Sequence, residues 1–241
     1  MATMHSPDQI RGQREQVGAS IRRVLETVAT LDEQEFSAPS GLPGWTRAHV
    51  LTHLARASDA RAGLLAAARE GVVGRQYPSE DARARDIEAG ARRPGPAVRA
   101  DLEDAFARFL TAVDGHPADL WEAEGEWLGG RRQPVHRVVP GLRREIEYHH
   151  VDLGAGYRPA DWPEDFTQEE LGRVARSMSG RTDAPPVTIV APHATMRIGD
   201  GTLAAVTGAA PDLLAWMTGR SGGEPLDVTP PGDLPPFPPL G

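Results

Sequence analysis

The chain of 241 residues contains no cysteine. It can form no disulfide, offers no thiolate to a metal and has no cysteine nucleophile. Any thiol chemistry must therefore take its sulfur from a small molecule. Lysine is absent too, and all 26 cationic side chains are arginine. Schiff-base chemistry and a lysine general base are excluded. Long apolar runs are also missing. Hydrophobic residues make up 39 % of the chain and mean hydropathy is -0.41, with no stretch near the roughly 18 apolar residues of a membrane span. The N-terminus shows no charged segment followed by an apolar one, so no secretory signal is read and a cytoplasmic location is expected. A basic excess is lacking: the net charge of -8 and pI of about 5.5 argue against nucleic acid as a partner.

What is present is organised mainly as helices. Ser6-Pro7-Asp8-Gln9 reads as a capping box with proline at the first helical position. Ile10, Val17, Ile21, Val24, Val28 and Leu31 follow at helical spacing and predict a helix to about residue 32. Gly41-Leu-Pro-Gly44 breaks the chain. A second helix is predicted from Trp45 to about residue 70, a third from Pro96 to Val113, and a fourth that ends at Gly154. The long connection between the second and third holds a short helix starting in Tyr77–Arg83. Texture changes around Tyr157–Phe166. Beyond it come a helix over Gln168–Met178, strands over Pro186–Ala191, Thr195–Ile198 and Leu203–Thr207, a helix over Pro211–Thr218, and a proline-rich tail expected to lie extended. The fold class predicted is α+β, mainly α: an antiparallel four-helix bundle over residues 1–157 and a small α+β domain over 158–241.

In EIEYHHVDLG, residues 145–154, three carboxylates and two imidazoles sit within ten residues. At 100° per residue, with Glu145 at zero, Val138, Leu142, Ile146 and Leu153 fall between about 20° and 100° and define an apolar stripe. His149 lies inside that stripe at about 40° and Asp152 on its edge, whereas Glu147 and Arg143 fall on the far side, at about 200° and 160°. Glu145 and His149 are thus expected to face the core and Glu147 to face water, with His150 on the margin. A bare carboxylate in a core must be paired, protonated or bound to metal. From this helix alone, an edge of a metal polyhedron, a neutral Glu–His hydrogen bond and an arginine-paired carboxylate all remain open.

The second helix adds a third candidate. His53 shares its face with Val50, Ala57, Ala60 and Leu64, and the small neighbours leave room beside it. A His49/His53 pair is the competing assignment. A His/Glu/His set without cysteine suits Zn2+, with Fe2+, Mn2+ or Ni2+ as alternatives, and three protein ligands leave a coordination position open, as in catalytic sites.

LPGWTRAHVLTHLA, followed far downstream by RREIEYHHVDLG, resembles the DinB-like metalloenzymes and specifically the mycothiol-dependent maleylpyruvate isomerases of actinobacteria. The resemblance extends to YPSEDARARDIEAG and VTGAAPDLLAWMTGRSG and runs nearly end to end. It implies metal ligands at His53, Glu145 and His149, which favours His53 over His49, and active-site arginines at Arg83 and Arg220. It also implies mycothiol as the thiol and a small dicarboxylate as substrate: the cis-to-trans conversion of maleylpyruvate to fumarylpyruvate in gentisate breakdown.

That reaction fits the composition. Rotation about a C=C bond needs its order reduced, which a thiolate achieves by adding to the conjugated alkene and leaving again. Metal coordination deprotonates a thiol. Arginine offers a bidentate fork for each substrate carboxylate or for the enolate formed on addition. With both arginines involved, the site is expected in the cleft between bundle and C-terminal domain. Asp152 and His150 are read as packing or orienting residues. Alternatives are another mycothiol S-transferase and a non-catalytic bundle stabilised by its metal, in a monomer or small homo-oligomer.

Overall fold

The computed structural model describes residues 6–199 and 204–238. Two compact units divide it, Met1–Tyr157 and Arg158–Gly241. Among the described residues no helix is long and apolar enough to cross a membrane.

In the first unit, α1 (Pro7–Ala29) starts at the Ser6 capping box, where Ser6 Oγ accepts from Gln9 N at 3.2 Å and Ser6 N donates to Gln9 Oε1 at 2.8 Å. It stops short of residue 32 because Asp32 opens a second capping box with Glu35 and starts the one-turn α2 (Glu33–Phe36). The remaining helices are α3 (Arg47–Arg69), α4 (Glu80–Ala91, capped by Ser79), α5 (Gly95–Asp114) and α6 (Val138–Asp152). Pro140 is tolerated in the first turn of α6, where its missing N–H would have had no helical partner.

The four long helices pack as a ring in the order α1, α5, α3, α6, so α3 and α6 are neighbours. Arg47, at the start of α3, bonds the carbonyls of Leu153 and Gly154 just past the end of α6. Arg61, about four turns further along α3, meets Glu145 near the middle of α6. The two helices therefore run antiparallel. Leu51, Leu54, Phe106, Leu142 and Ile146 are all fully buried in the common core, each such side chain stabilising the fold by about 1.5–3 kcal/mol.

Between α5 and α6 lies an antiparallel hairpin of β1 (Glu124–Glu126) and β2 (Arg132–Pro134) that the sequence reading did not predict. Its three-residue strands, Glu-Gly-Glu and Arg-Gln-Pro, carry no apolar alternation. Glu126 N donates to Gly74 O and Gln76 N to Glu126 O, both at 2.8 Å, which ties down the segment leading into α4.

One expectation for α6 is overturned. Glu147, predicted to face water, is 1 % exposed, and Arg143 and His150 are buried with it. A helical wheel separates faces but does not say which are solvated, and α6 packs against both α1 and α3. Glu147 turns towards α1, where Ser20 Oγ and the Arg23 guanidinium donate to its Oε1 and the Tyr157 hydroxyl donates to Oε2 at 2.7 Å. Beside it, Thr27 Oγ1 meets His150 Nε2 at 2.7 Å, and the His150 ring stacks on Tyr157 at 3.7 Å.

The second unit holds α7 (Glu164–Ser179), β3 (Val187–Ala191), β4 (Ala194–Ile198), β5 (Ala205–Thr207), α8 (Ala210–Met217) and β6 (Asp227–Thr229). The sheet order is β4-β3-β5-β6, antiparallel except for the parallel β3–β5 pair, in register Ile189↔Val206. Leu203, where the third strand was predicted to begin, lies outside the described residues, as do residues 1–5 and the last three of the tail. The tail is extended but not merely draped: β6 pairs with β5, and Phe237 packs edge-on against Trp216 at 4.9 Å.

Candidate metal centre

His53 projects from α3 and is 4 % exposed, its ring edge-on to Trp45 at 5.8 Å. Glu145 and His149 project from α6 one turn apart. His53 Nε2 stands 3.0 Å from His149 Nε2 and 3.1 Å from Glu145 Oε2, and His149 Nε2 is 3.4 Å from the same Oε2. These three donor atoms converge. Four ligands arranged tetrahedrally at about 2.1 Å from an ion lie about 3.4 Å apart, so a small divalent ion fits the triangle with adjustments of a few tenths of an ångström. The Glu145 side chain keeps 28 % of its surface exposed, so the cluster is reachable from outside.

The surrounding groups fix the protons. Asp152 Oδ2 lies 2.9 Å from His149 Nδ1; a carboxylate only accepts, so Nδ1 donates and, in the neutral ring, Nε2 turns its lone pair towards the cluster. Burial lowers the pKa of His53 from 6.5 to about 4, with the His149 and Arg83 charges acting in the same direction against the pull of Glu145. Its imidazole is neutral near pH 7. For His149, burial is outweighed by Asp152 and Glu145, and its pKa is raised. Glu145 would be pushed up by burial, but Arg61 and the two imidazoles hold it well below the usual carboxylate range. The set is therefore one carboxylate, one neutral imidazole and one imidazole whose protonated form Asp152 and Glu145 favour, with no uncompensated buried charge.

Arg83 Nη2 lies 3.1 Å from His53 Nδ1. A guanidinium only donates, so in this arrangement Nδ1 accepts and Nε2 carries the ring proton. That proton bonds Glu145 or His149, and the cluster is satisfied without an ion. Ligation through Nε2 would shift the proton to Nδ1, where Arg83 cannot accept it. Arg83 and an ion thus compete for His53. Tyr77 lies beneath Arg83, whose guanidinium carbon is 5.8 Å from the ring centre. Burial raises the pKa of its hydroxyl, offset in part by Arg61 and Arg83.

Of the five predicted site residues, His53, Glu145, His149 and Arg83 are brought together. Arg220 belongs to the second unit, where its N–H donates to Ala215 O at 2.7 Å and its guanidinium reaches Thr218 O at 3.3 Å, closing the end of α8. The competing ligand His49 is engaged elsewhere: Thr46 N donates to its Nδ1 at 3.2 Å, completing the cap of α3, and its Nε2 faces Glu88. Sequence reading missed Arg61, whose Nη2 donates to Glu145 Oε1 at 2.9 Å. A signal existed, since a core-facing carboxylate calls for a cation and Arg61 lies two turns beyond His53. The arginine-paired carboxylate and the converging donor set, weighed as alternatives, coexist here.

Two family profiles match the chain: "Mycothiol maleylpyruvate isomerase N-terminal domain" over residues 17–154 and "MDMPI C-terminal domain" over residues 161–239. Among curated proteins none matches. Crystal structures of the mycothiol-dependent maleylpyruvate isomerase and of a histidine-to-alanine variant of it superpose with TM-scores of 0.90 and 0.89. Each covers 100 % of both chains at 23 % identity, a likeness that establishes the fold.

Proposed function

The chain belongs to the mycothiol maleylpyruvate isomerase family, and on that premise we propose that it converts maleylpyruvate to fumarylpyruvate, with mycothiol as the thiol and Zn2+ held by His53, Glu145 and His149. The observation that carries this reading is the meeting of three N/O donors within ligand distance of one another, in a family member that has no cysteine of its own. An ion held there supplies a positive centre that keeps a thiol deprotonated at neutral pH. Addition of that sulfur to the conjugated alkene leaves a single bond free to rotate, and its departure restores the alkene with no net gain or loss of atoms.

The chain's own residues do the rest. Asp152 holds His149 in the tautomer that presents Nε2, and burial keeps His53 neutral and able to ligate. Arg83, partly exposed at the edge of the cluster, provides a planar fork for a substrate carboxylate or for the oxygen that gains charge on addition. Arg220 is proposed for the same work, carboxylate binding or enolate stabilisation, on the strength of the resemblance alone. Both arginines suit an acidic protein that must hold a dianion.

The test is to mix protein, mycothiol and maleylpyruvate and follow fumarylpyruvate by its absorbance. Product formation that depends on mycothiol, with free thiol unchanged, supports isomerisation. Stoichiometric loss of thiol would instead indicate an S-transferase, and no reaction with the metal-loaded protein would leave a bundle that uses its ion for stability.

A further inference from the structure

We propose that Arg61 is a positioning residue that restricts Glu145 to ligation through a single oxygen, Oε2, and thereby keeps a coordination position open for the incoming thiol. This rests on the metal-centre reading above and concerns how that centre is limited to three protein donors.

Arg61 is a charged side chain only 4 % exposed, a placement that requires compensation. Its guanidinium is held at two points: Nη1 donates to Ala57 O at 3.0 Å, one turn back on α3, and Nη2 donates to Glu145 Oε1 at 2.9 Å. The opposite wall is Gly141, one turn before Glu145 on α6. A Cβ there would stand 3.5 Å from Arg61 Nε, an ordinary contact distance, so the backbone of α6 closes the slot up to the guanidinium and a side chain longer than alanine would compete with it for space. The consequence falls on the carboxylate. Oε1 is engaged by Arg61, and Oε2 alone faces His53 and His149.

A carboxylate can bind an ion through one oxygen or both. With Oε1 released, the second oxygen lies on the same rigid group and would chelate, filling a position that catalytic sites of this ligand class keep for water or substrate. Arg61 needs no contact with substrate to act in this way.

The experiment uses the full chain with Co2+ as a spectroscopic replacement for the native ion. Wild type is expected to bind one Co2+ with the intense visible bands of a four-coordinate site, which shift when mycothiol is added. Arg61→Met is expected to bind Co2+ with bands several-fold weaker, as a higher coordination number produces, and to lose roughly tenfold or more in mycothiol affinity. Arg61→Lys, which keeps one donor, should recover most of both. If Arg61→Met does not fold, Arg61→Gln, whose amide is too short to reach Oε1, takes its place. An Arg61 variant with the wild-type spectrum and thiol affinity, even at a lower melting temperature, would reduce Arg61 to a structural ion-pair partner and overturn the inference alone. Failure of the wild type to bind Co2+ at all would overturn the metal reading, and this inference with it.

Discussion

His53 Nε2 and His149 Nε2 face each other at 3.0 Å across two helices, although 96 residues separate them in sequence. Two imidazole nitrogens at that distance share either a proton or an ion. His53→Ala removes one of them from α3 while leaving the α6 pair intact. The substitution is expected to weaken metal affinity by more than the roughly 10–100-fold that loss of an outer partner costs, with helical circular dichroism unchanged. A variant that kept its ion and its turnover would sink the ligand assignment.

Arg83 donates to the nitrogen of His53 that must carry a proton once the other nitrogen ligates. Arg83→Met should therefore bind metal as tightly as wild type or more tightly, as measured by competition with a chromogenic chelator. Turnover should fall by about 10- to 100-fold through loss of a charge-assisted hydrogen bond. Weaker metal binding in this variant would contradict the competition.

The far face of α6 gives a prediction about stability alone. Glu147→Leu leaves the Arg23 guanidinium and the Tyr157 hydroxyl without their shared acceptor. The expected loss is about 2–4 kcal/mol, seen as a fall in melting temperature of roughly 5–15 °C. Metal content should not change. Loss of the ion would mean that the two faces are coupled.

Acid acts on His53 with a definite sign. Its pKa is 6.5 in an unfolded chain and about 4 in the fold, so between those values the unfolded state binds the extra proton. Stability contributed by the neutral imidazole is complete above pH 6.5 and is lost as pH falls towards 4, at most about 3 kcal/mol. His149, raised in the fold, works oppositely: its contribution is present below the unfolded value and is lost as pH rises through the folded one. Denaturant titrations of the metal-free protein across this range should show wild type losing stability towards acid more steeply than His53→Ala. Equal slopes would mean that His53 titrates normally.

Local signals account for what could be foreseen. The Ser6–Gln9 capping box, the apolar spacing along α1, the face of α3 that carries His53, and the polar residues on the core stripe of α6 are all properties of short stretches. Those stretches brought His53, Glu145 and His149 into view as candidates, and the family resemblance chose His53 over His49. What escaped depends on partners distant in sequence. The β1–β2 hairpin is held by pairing rather than by composition, and β6 is a strand inside a proline-rich segment because β5 offers it an edge. Glu147 was assigned to water because its partners, Ser20, Arg23 and Tyr157, lie off its own helix. Arg61 escaped for a related reason: a core-facing carboxylate calls for a cation, but which arginine answers is decided only when α3 is laid beside α6.

Because α6 carries acids aimed at two different neighbours, rolling about its axis would break an ion pair on each side. Glu145 and Glu147 are about 200° apart round the helix. A rotation that parted one carboxylate from its arginine would move the other away from its own arginine as well. The helix is keyed like a shaft with two slots, and the orientation that lets Glu147 engage α1 is the one that aims Glu145 and His149 at His53. Each slot seats its own neighbour: Glu147 secures the contact with α1, and Glu145 the contact with α3.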